Sequence, residues 1–356
     1  MKRIGTIVLM FVIVMTAVAQ DKRARIDEIR RAYAQAKKDV DANDKQGHPP
    51  MDVMIRLNDG TEVSEDFIIN EVRELRYFFK RSGLQGNGAH CYFLTEQWSA
   101  NGHTSYREML FDAATEHLMF SFMKVETHAG YVIESRYYYD DAGHLIEEKH
   151  KAGDSETTAE GQSWSSSEGD ATMARRYAEV FDKLMKNVDA EAKAYPKTQA
   201  ANKEKQIKRI RSIYAEAKGK IAKDDKSEIP RNLEIVIHDR PHPAAPARKD
   251  VVNGWFEYVD GREGASCYFM SSTCTMGDHH VYSEYLPDPK DGHLLFCFSQ
   301  QKQNSGQALE WRHYFDDAGR CIETKGVAER NGPGFADKDA AKGYLDVFNT
   351  LLQVIR

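Results

Sequence analysis

The apolar positions of the chain change period several times, and each change marks an element. Ile26, Ile29, Tyr33, Ala36 and Val40 recur at steps of three and four, which places one apolar stripe on a helix over residues 25 to 45. Val53, Ile55 and Leu57 then alternate with polar neighbours, the period of a strand with one buried face. Further strands are predicted over 73–80, 90–98, 104–111, 117–125, 131–140 and 145–150, separated by short turns rich in Gly, Asn and Asp. Turns that short join antiparallel neighbours, because a parallel crossover needs about a dozen residues or more. A second helical period starts at Ala171, with Tyr177, Val180, Phe181 and Leu184 on one stripe.

The same series is then written again. Ile207, Ile210, Tyr214, Ala217 and Ile221 repeat the first stripe, and Leu233, Ile235 and Ile237 repeat the first strand. Cys267 to Lys325 aligns without a gap on Cys91 to Lys149 at a constant offset of 176, with 23 of 59 positions identical. Tyr344, Val347, Phe348 and Leu351 repeat the closing helix. A whole domain is duplicated, and a repeat of this kind constrains the architecture more than any single motif does. The pattern predicts an α+β chain of two tandem homologous domains, each an N-terminal helix, an antiparallel sheet of about five or six strands, and a C-terminal helix. Their boundaries read as 20–190 and 205–356, joined by a linker over 191–204 that holds Tyr195-Pro196. The copies differ most in their loops, as in 238–249 with its three prolines against the differently built 58–66, and loops are where binding specificity usually resides. Residues 156–170 and 326–337 are loops before the closing helices.

The best-kept stretch is RYYYDDAGHLIEEK, Arg136 to Lys149, against RHYFDDAGRCIETK, Arg312 to Lys325. Asp140-Asp141-Ala142-Gly143 reads as a hairpin turn, the Asp side chains capping backbone amides and Gly143 taking the left-handed conformation. One DDAG lacks the spaced ligand series of a calcium loop. The phrase (Y/F)-D-D-A-G-x-x-I-E resembles the hairpin signature of YD-type and MORN-like repeats, and of many uncharacterised secreted proteins of Gram-negative bacteria. It covers fourteen residues in each copy and occurs once per copy. The resemblance implies extracytoplasmic sheet structure and specifies no activity.

The first nineteen residues differ from the rest. Lys2 and Arg3, an apolar run from Ile4 to Met15, and Ala17-Val18-Ala19 read as a signal peptide over 1–19, cleaved between Ala19 and Gln20. The run is shorter than the ~20 residues of a spanning helix. No Cys follows the cleavage site, as a lipoprotein would require, so the expectation is a periplasmic or secreted protein with no membrane span after cleavage. The chain has 356 residues, 49 basic and 55 acidic, and a formal charge of −6. Loss of the leader removes two basic residues and leaves 47 against 55, formally −8, which disfavours nucleic acid or anionic lipid as partner. The basic run Lys203 to Arg211 lies on an amphipathic helix and reads as its solvated face.

None of the strong catalytic or ligand motifs is present: there is no HExxH, GxSxG, P-loop, GxGxxG or CxxC. Among thirteen scattered histidines the adjacent pair His279-His280 cannot easily share a metal on a strand, and neither these nor His103 form a ligand set. No metal or other cofactor is expected. Of five cysteines, Cys91 and Cys267 are equivalent and read as small buried apolar residues, while Cys274, Cys297 and Cys321 replace Trp98, Ser121 and Leu145. In an oxidising compartment the candidate disulfide is Cys297 with Cys321, on nearby strands. No His or acid stands at a spacing that would activate a nucleophilic Cys.

Strand parity selects the candidate site. Tyr106 and Glu108, Glu134, Arg136 and Tyr138, then Glu147 and Lys149, are identical to Tyr282 and Glu284, Glu310, Arg312 and Tyr314, then Glu323 and Lys325. Within each strand they sit two apart and share a face. Such a face can be a polar binding surface, or hold a carboxylate pair, Glu108 with Glu134, for acid–base work. The preferred reading of the face taken alone is a cross-strand ion-pair ladder on a solvated side, each pair contributing about 0.2–1 kcal/mol. Leu118/Leu294, Phe120/Phe296 and Phe122/Phe298, of one parity, are assigned to the core. The functional expectation is an exported, non-enzymatic binding or interaction module for an envelope or extracellular protein, peptide or glycan. The alternative is a hydrolase-like enzyme using Glu108, Glu134 and Arg136 and their repeat equivalents.

Overall fold

The computed structural model describes residues 2–45, 51–59, 63–64, 67–68, 71–81, 88–100, 103–112, 114–127, 130–153, 155–157, 167–189, 203–224, 231–240, 246–259, 264–288, 290–302, 308–326 and 338–354, with side chains at most of these positions from Asp21 onward. The linker as far as residue 202, and the loop stretches 158–166, 241–245 and 327–337, lie outside the described residues.

The first copy contains α1 (Lys2–Lys45), β1 (Asp52–Asp59), the short pair β2 (Val63–Ser64) and β3 (Phe67–Ile68), β4 (Glu71–Arg81), β5 (Ala89–Ala100), β6 (His103–Phe111), β7 (Leu118–Glu126), β8 (Val132–Tyr139), β9 (Leu145–Ala152), β10 (Ser155–Thr157) and α2 (Ser167–Val188). The second contains α3 (Lys203–Asp224), β11 (Arg231–Asp239), β12 (Arg248–Val259), β13 (Gly264–Met276), β14 (His279–Pro287), β15 (Leu294–Lys302), β16 (Ala308–Phe315), β17 (Cys321–Gly326) and α4 (Lys338–Val354). No described helix is long and apolar enough to cross a membrane.

The expectation of two tandem domains, each with its own sheet of five or six strands, is overturned. Apart from β2 and β3, the described strands form one antiparallel sheet of fifteen, in the order β10-β9-β8-β7-β6-β5-β4-β1-β11-β12-β13-β14-β15-β16-β17. The physical reason is the inner edge of each copy. β1 and β11 are apolar on one face and would each present a row of unpaired backbone groups if left bare. They pair with one another instead, Val53 opposite Ile237, Ile55 opposite Ile235, and Leu57 opposite Leu233. Ile55 and Ile235 are equivalent residues, so a local two-fold axis passes through their pair, the geometry of an isologous dimer interface inside one chain. Ion pairs flank the seam: Arg81 reaches Asp239 at 2.6 Å, and His238 Nδ1 lies 2.9 Å from Asp52, which also takes Arg76 at 2.6 Å.

On one face α2 and α4 pack on each other above this seam. Lys183 Nζ donates to Thr350 Oγ1 at 3.1 Å and Asn187 Nδ2 to the Ala340 carbonyl at 3.2 Å. A Cβ at Gly343 would come 2.2 Å from Asn187 Oδ1, so the helices approach where one has no side chain. Beneath them lies a single core drawing Val53, Ile55, Tyr77, Phe79 and Phe181 from the first copy and Ile235, Ile237, Phe256, Phe348 and Leu351 from the second. Its two sides are filled differently. Tyr77 stacks on Phe181 with ring centroids 5.7 Å apart, whereas the matching strand position is Gly254, and the Phe348 ring occupies the space a Cβ would need.

On the opposite face α1 and α3 each cover their own copy. Ile26, Ile29, Ala36 and Val40 pack on Phe78, Phe93, Leu110, Phe120 and Tyr138, and α3 packs on Phe269, Leu286, Phe296 and Tyr314. The single parity assigned to Leu118, Phe120 and Phe122 is corrected here. Leu118 joins the core under α2, and Phe120 joins that under α1, because register shifts at Leu110/Phe111 and at Leu286/Pro287 re-aim the strand ends.

Candidate functional site

Register gathers the candidate residues into two equivalent groups. Glu108, Phe122, Arg136 and Lys149 form one cross-strand row, with Tyr106, Lys124 and Glu134 beside it and Leu110, Phe120, Tyr138 and Glu147 on its other side. The second copy repeats the rows with Glu284, Phe298, Arg312 and Lys325, with Tyr282, Gln300 and Glu310, and with Leu286, Phe296, Tyr314 and Glu323. All lie on the face that α1 and α3 cover, so this ribbon is not simply a solvated ladder.

Glu108 shows what the helix does to it. Its side chain is buried, with 3% of the residue exposed, and it accepts hydrogen bonds from the Tyr33 hydroxyl, from the Tyr106 hydroxyl at 2.5 Å and from Lys37 Nζ at 2.6 Å. Glu284, 5% exposed, is held by the hydroxyls of Tyr214 and of Tyr282 at 2.7 Å, and by Lys218 Nζ at 3.1 Å. Tyr33 and Lys37 are four apart on α1, one turn, so both reach the same point on the sheet. Burial, and then the bond to the carboxylate, push all four phenols above their ordinary value. Both carboxylate oxygens are engaged, and each Glu bolts its helix to the sheet. The helix partners were missed in the sequence, although Tyr33/Tyr214 and Lys37/Lys218 are identical in the two helices.

Beyond Glu108 and Glu284 the ribbon is an ion-pair ladder, with Lys203 of α3 reaching Glu323 at 3.4 Å. Arg136 bonds Glu134 at 2.8 Å and Arg312 bonds Glu310 at 3.0 Å, while Lys149–Glu147 and Lys325–Glu323 both stand at 3.9 Å. Each arginine lies over a ring of the next strand, 5.1 Å from the Phe122 and Phe298 centroids. Glu108 and Glu134 are on β6 and β8 with β7 between them, and both are ion-paired, which leaves neither as a free acid or base.

Between helix and sheet each copy forms a half-open cavity of about 280 Å³. In the first copy α1 contributes Ile29, Arg30 and Tyr33, and β7 and β8 contribute Phe120, Phe122, Arg136 and Tyr138. In the second α3 contributes Ile210, Arg211 and Tyr214, facing Phe296, Phe298, Arg312 and Tyr314. Every lining position carries the same residue type in both copies. Arg30 sits 5.7 Å from the Tyr138 centroid and Arg211 6.0 Å from that of Tyr314. A wider groove of about 760 Å³ in the first copy is lined by Arg56, Glu74, Trp98, Tyr106 and Lys124 among others; all of these but Tyr106 are replaced in the second copy, by Val236, Val251, Cys274 and Gln300.

Other polar clusters resolve into structural roles. Under α2, Glu96 takes Arg107 at 2.6 Å, Tyr177 at 2.8 Å and Arg73 at 3.3 Å, a buried network replaced in the second copy by Ser272 and Ser283 at the Glu96 and Arg107 positions. Asp288, His293 and Asp317 are close enough to hold a metal ion, but the Arg209 guanidinium bridges both carboxylates at 2.7 and 2.6 Å, as Arg25 meets Asp141 at 2.5 Å in the first copy. In the DDAG turn, Asp140 accepts from the backbone of Ala142 at 2.9 Å and His144 at 2.8 Å, and Gly143 has φ of 80°. His279 and His280 are exposed, and the His103 side chain lies outside the described residues. All five cysteines are free thiols. The Cys297–Cys321 pairing is not formed because β16 lies between β15 and β17, and strands two apart stand roughly 9–10 Å from each other, beyond the reach of a disulfide. Burial pushes the Cys267 thiol up to about 12 and the Cys91 thiol in the same direction.

Comparison with protein-family models, with curated proteins and with solved structures finds no match to the chain, so its function is read from its own residues.

Proposed function

We propose that the chain is a non-enzymatic binding module that works after export, in the periplasm or outside the cell, and binds in duplicate on the face carried by α1 and α3. One observation carries the reading. All seven residues that line each helix–sheet cavity are identical between the copies, whereas the longer aligned segment keeps 23 of 59. Packing of the helix accounts for the apolar members and the ion-pair ladder for Arg136 and Arg312, but neither accounts for the exposed Arg30 and Arg211. The hydrolase alternative is disfavoured by the engagement of Glu108, Glu284, Glu134 and Glu310 in hydrogen bonds and ion pairs. The leader pattern of residues 1–19 and the hairpin resemblance support the extracytoplasmic setting.

The test is a thermal melt of the mature chain across a panel of peptides, glycans and small organic acids. A ligand that binds only the folded state raises the midpoint in proportion to RT ln(1 + [L]/Kd), about 2.7 kcal/mol at a hundredfold excess over Kd. A flat melt across the whole panel, together with a pull-down from envelope extract that recovers no partner, would sink the reading.

A further inference from the structure

We propose that each helix–sheet cavity is the site of one small organic carboxylate, its carboxylate held by the arginine pair and its apolar body against the aromatic wall, so that one chain takes two. This rests on the binding-module reading and names the ligand chemistry of the same face.

The argument turns on Arg30 and Arg211. Over Arg25 to Asn43 and the matching Gln206 to Asp224, the charged residues retained in both helices are Arg30/Arg211 and Lys37/Lys218. Lys37 and Lys218 are accounted for by their bonds to Glu108 and Glu284. Arg30 has no such shared explanation. It pairs with Asp27 at 3.3 Å, but the residue equivalent to Asp27 is Lys208, so no ion pair of this kind exists in the second copy. In the first copy Arg30 also bonds the Tyr138 side chain and feels Glu147 nearby; what Arg30 and Arg211 have in common is a tyrosine ring and the cavity mouth. The second arginine of each cavity, Arg136 or Arg312, commits one terminal nitrogen to a glutamate, out of the five N–H donors a guanidinium carries.

Charge and shape then define the ligand. In each cavity two guanidinium groups stand against Glu134 or Glu310, because Glu108 and Glu284 are offset by Lys37 and Lys218, and the neighbouring Glu147 and Glu323 by Lys149 and Lys325 at 3.9 Å and, for Glu323, by Lys203 at 3.4 Å; Asp27 adds an acid at the exposed rim of the first copy, and Lys208 a further cation in the second. Guanidinium groups recognise carboxylates through paired, planar hydrogen bonds. The remaining wall is Ile29, Phe120, Phe122 and the faces of two tyrosines, which a bare inorganic anion would leave uncovered. A pocket of about 280 Å³, open on one side, accommodates the body of a monocyclic aryl or branched-chain acid.

Calorimetric titration of the full chain with benzoate, phenylacetate and 4-methylpentanoate tests this, with benzamide and phenylacetamide as uncharged isosteres and inorganic phosphate as a bare anion. The expected result is binding of at least one acid at two per chain, with Kd of about 0.1–1 mM for so small a ligand and at least tenfold weaker binding of its amide. Arg30→Ala and Arg211→Ala each reduce the stoichiometry to one, and the double variant abolishes binding while its melt stays that of the parent. The proposal is overturned if no acid binds at about ten times that range, if phosphate binds as well as the acids, or if the double variant still binds two. Loss of acid binding alongside a melt shift from a peptide or glycan would defeat the carboxylate assignment and leave the module reading intact.

Discussion

Two carboxylates at equivalent positions, Glu108 and Glu284, have the composition of catalytic groups and the surroundings of structural ones. Glu108→Gln keeps the shape but removes the ion pair with Lys37 and weakens two phenol donors; a loss of about 1–3 kcal/mol is expected in urea unfolding, and Glu284→Gln should match it. The network under α2 behaves differently. Arg107→Met leaves Glu96 with Arg73 at 3.3 Å but removes the cation that lies 2.6 Å from it and 3.5 Å from buried Asp170, and should cost about 3 kcal/mol, whereas Ser283→Ala at the equivalent position loses only a hydroxyl bond to Ser299 and about 1 kcal/mol. Comparable losses at both sites would show that the ions carry no special weight. At Asp316, burial opposes ionisation, but the backbone N–H and guanidinium of Arg320 and the N–H of Ala318 outweigh it, so the carboxyl sits below its ordinary value. Its contribution is therefore full above the ordinary carboxylate range and is lost as pH falls through the lower, folded-state value. Asp316→Ala should flatten the acid limb of stability against pH, read by urea titrations between about pH 5 and 2.

At the scale of elements, side-chain period made the helices and main strands readable, because an amphipathic stripe or an alternating face is local information. Tyr106, Glu108, Glu134, Arg136 and Tyr138 were placed on one face for that reason. Their partners were not readable in the same way. Tyr33 and Lys37 meet Glu108 across 75 and 71 residues of chain, and no local period records which face of a sheet a distant helix will cover. Parity also fails at bulges, so Leu118 and Phe120, two apart in sequence, enter the cores on opposite faces. Gly254 is a further case, since its meaning depends on Phe348 nearly a hundred residues away. Gly254→Ala drives a Cβ into the Phe348 ring and should destabilise by about 1–3 kcal/mol, and Phe348→Leu in the same chain should recover part of that loss. An Ala variant as stable as the parent would mean the ring moves freely.

For the whole molecule the decisive contact is the seam. The alternation of Val53, Ile55 and Leu57 predicts a strand but says nothing of what its backbone edge will pair with, so the sequence pattern divides into two what is one sheet. Either half alone would bare that edge, and edge strands invite association. Residues 20–190 and 205–356 produced as separate chains should each self-associate or precipitate, and should form a 1:1 complex when refolded together, as sized by light scattering. Two stable monomers that ignore each other would refute the seam as a folding requirement. The local two-fold axis through Ile55 and Ile235 has one more consequence. In a true homodimer every substitution appears on both sides of the axis at once, so a change that suits one side must also suit the other. A single chain is released from that rule, and Tyr77 against Gly254, or the close approach of Asn187 to Gly343, are mismatched solutions that only a covalent pair could accumulate. The halves should by now be lock and key rather than twins, each preferring the other to a copy of itself.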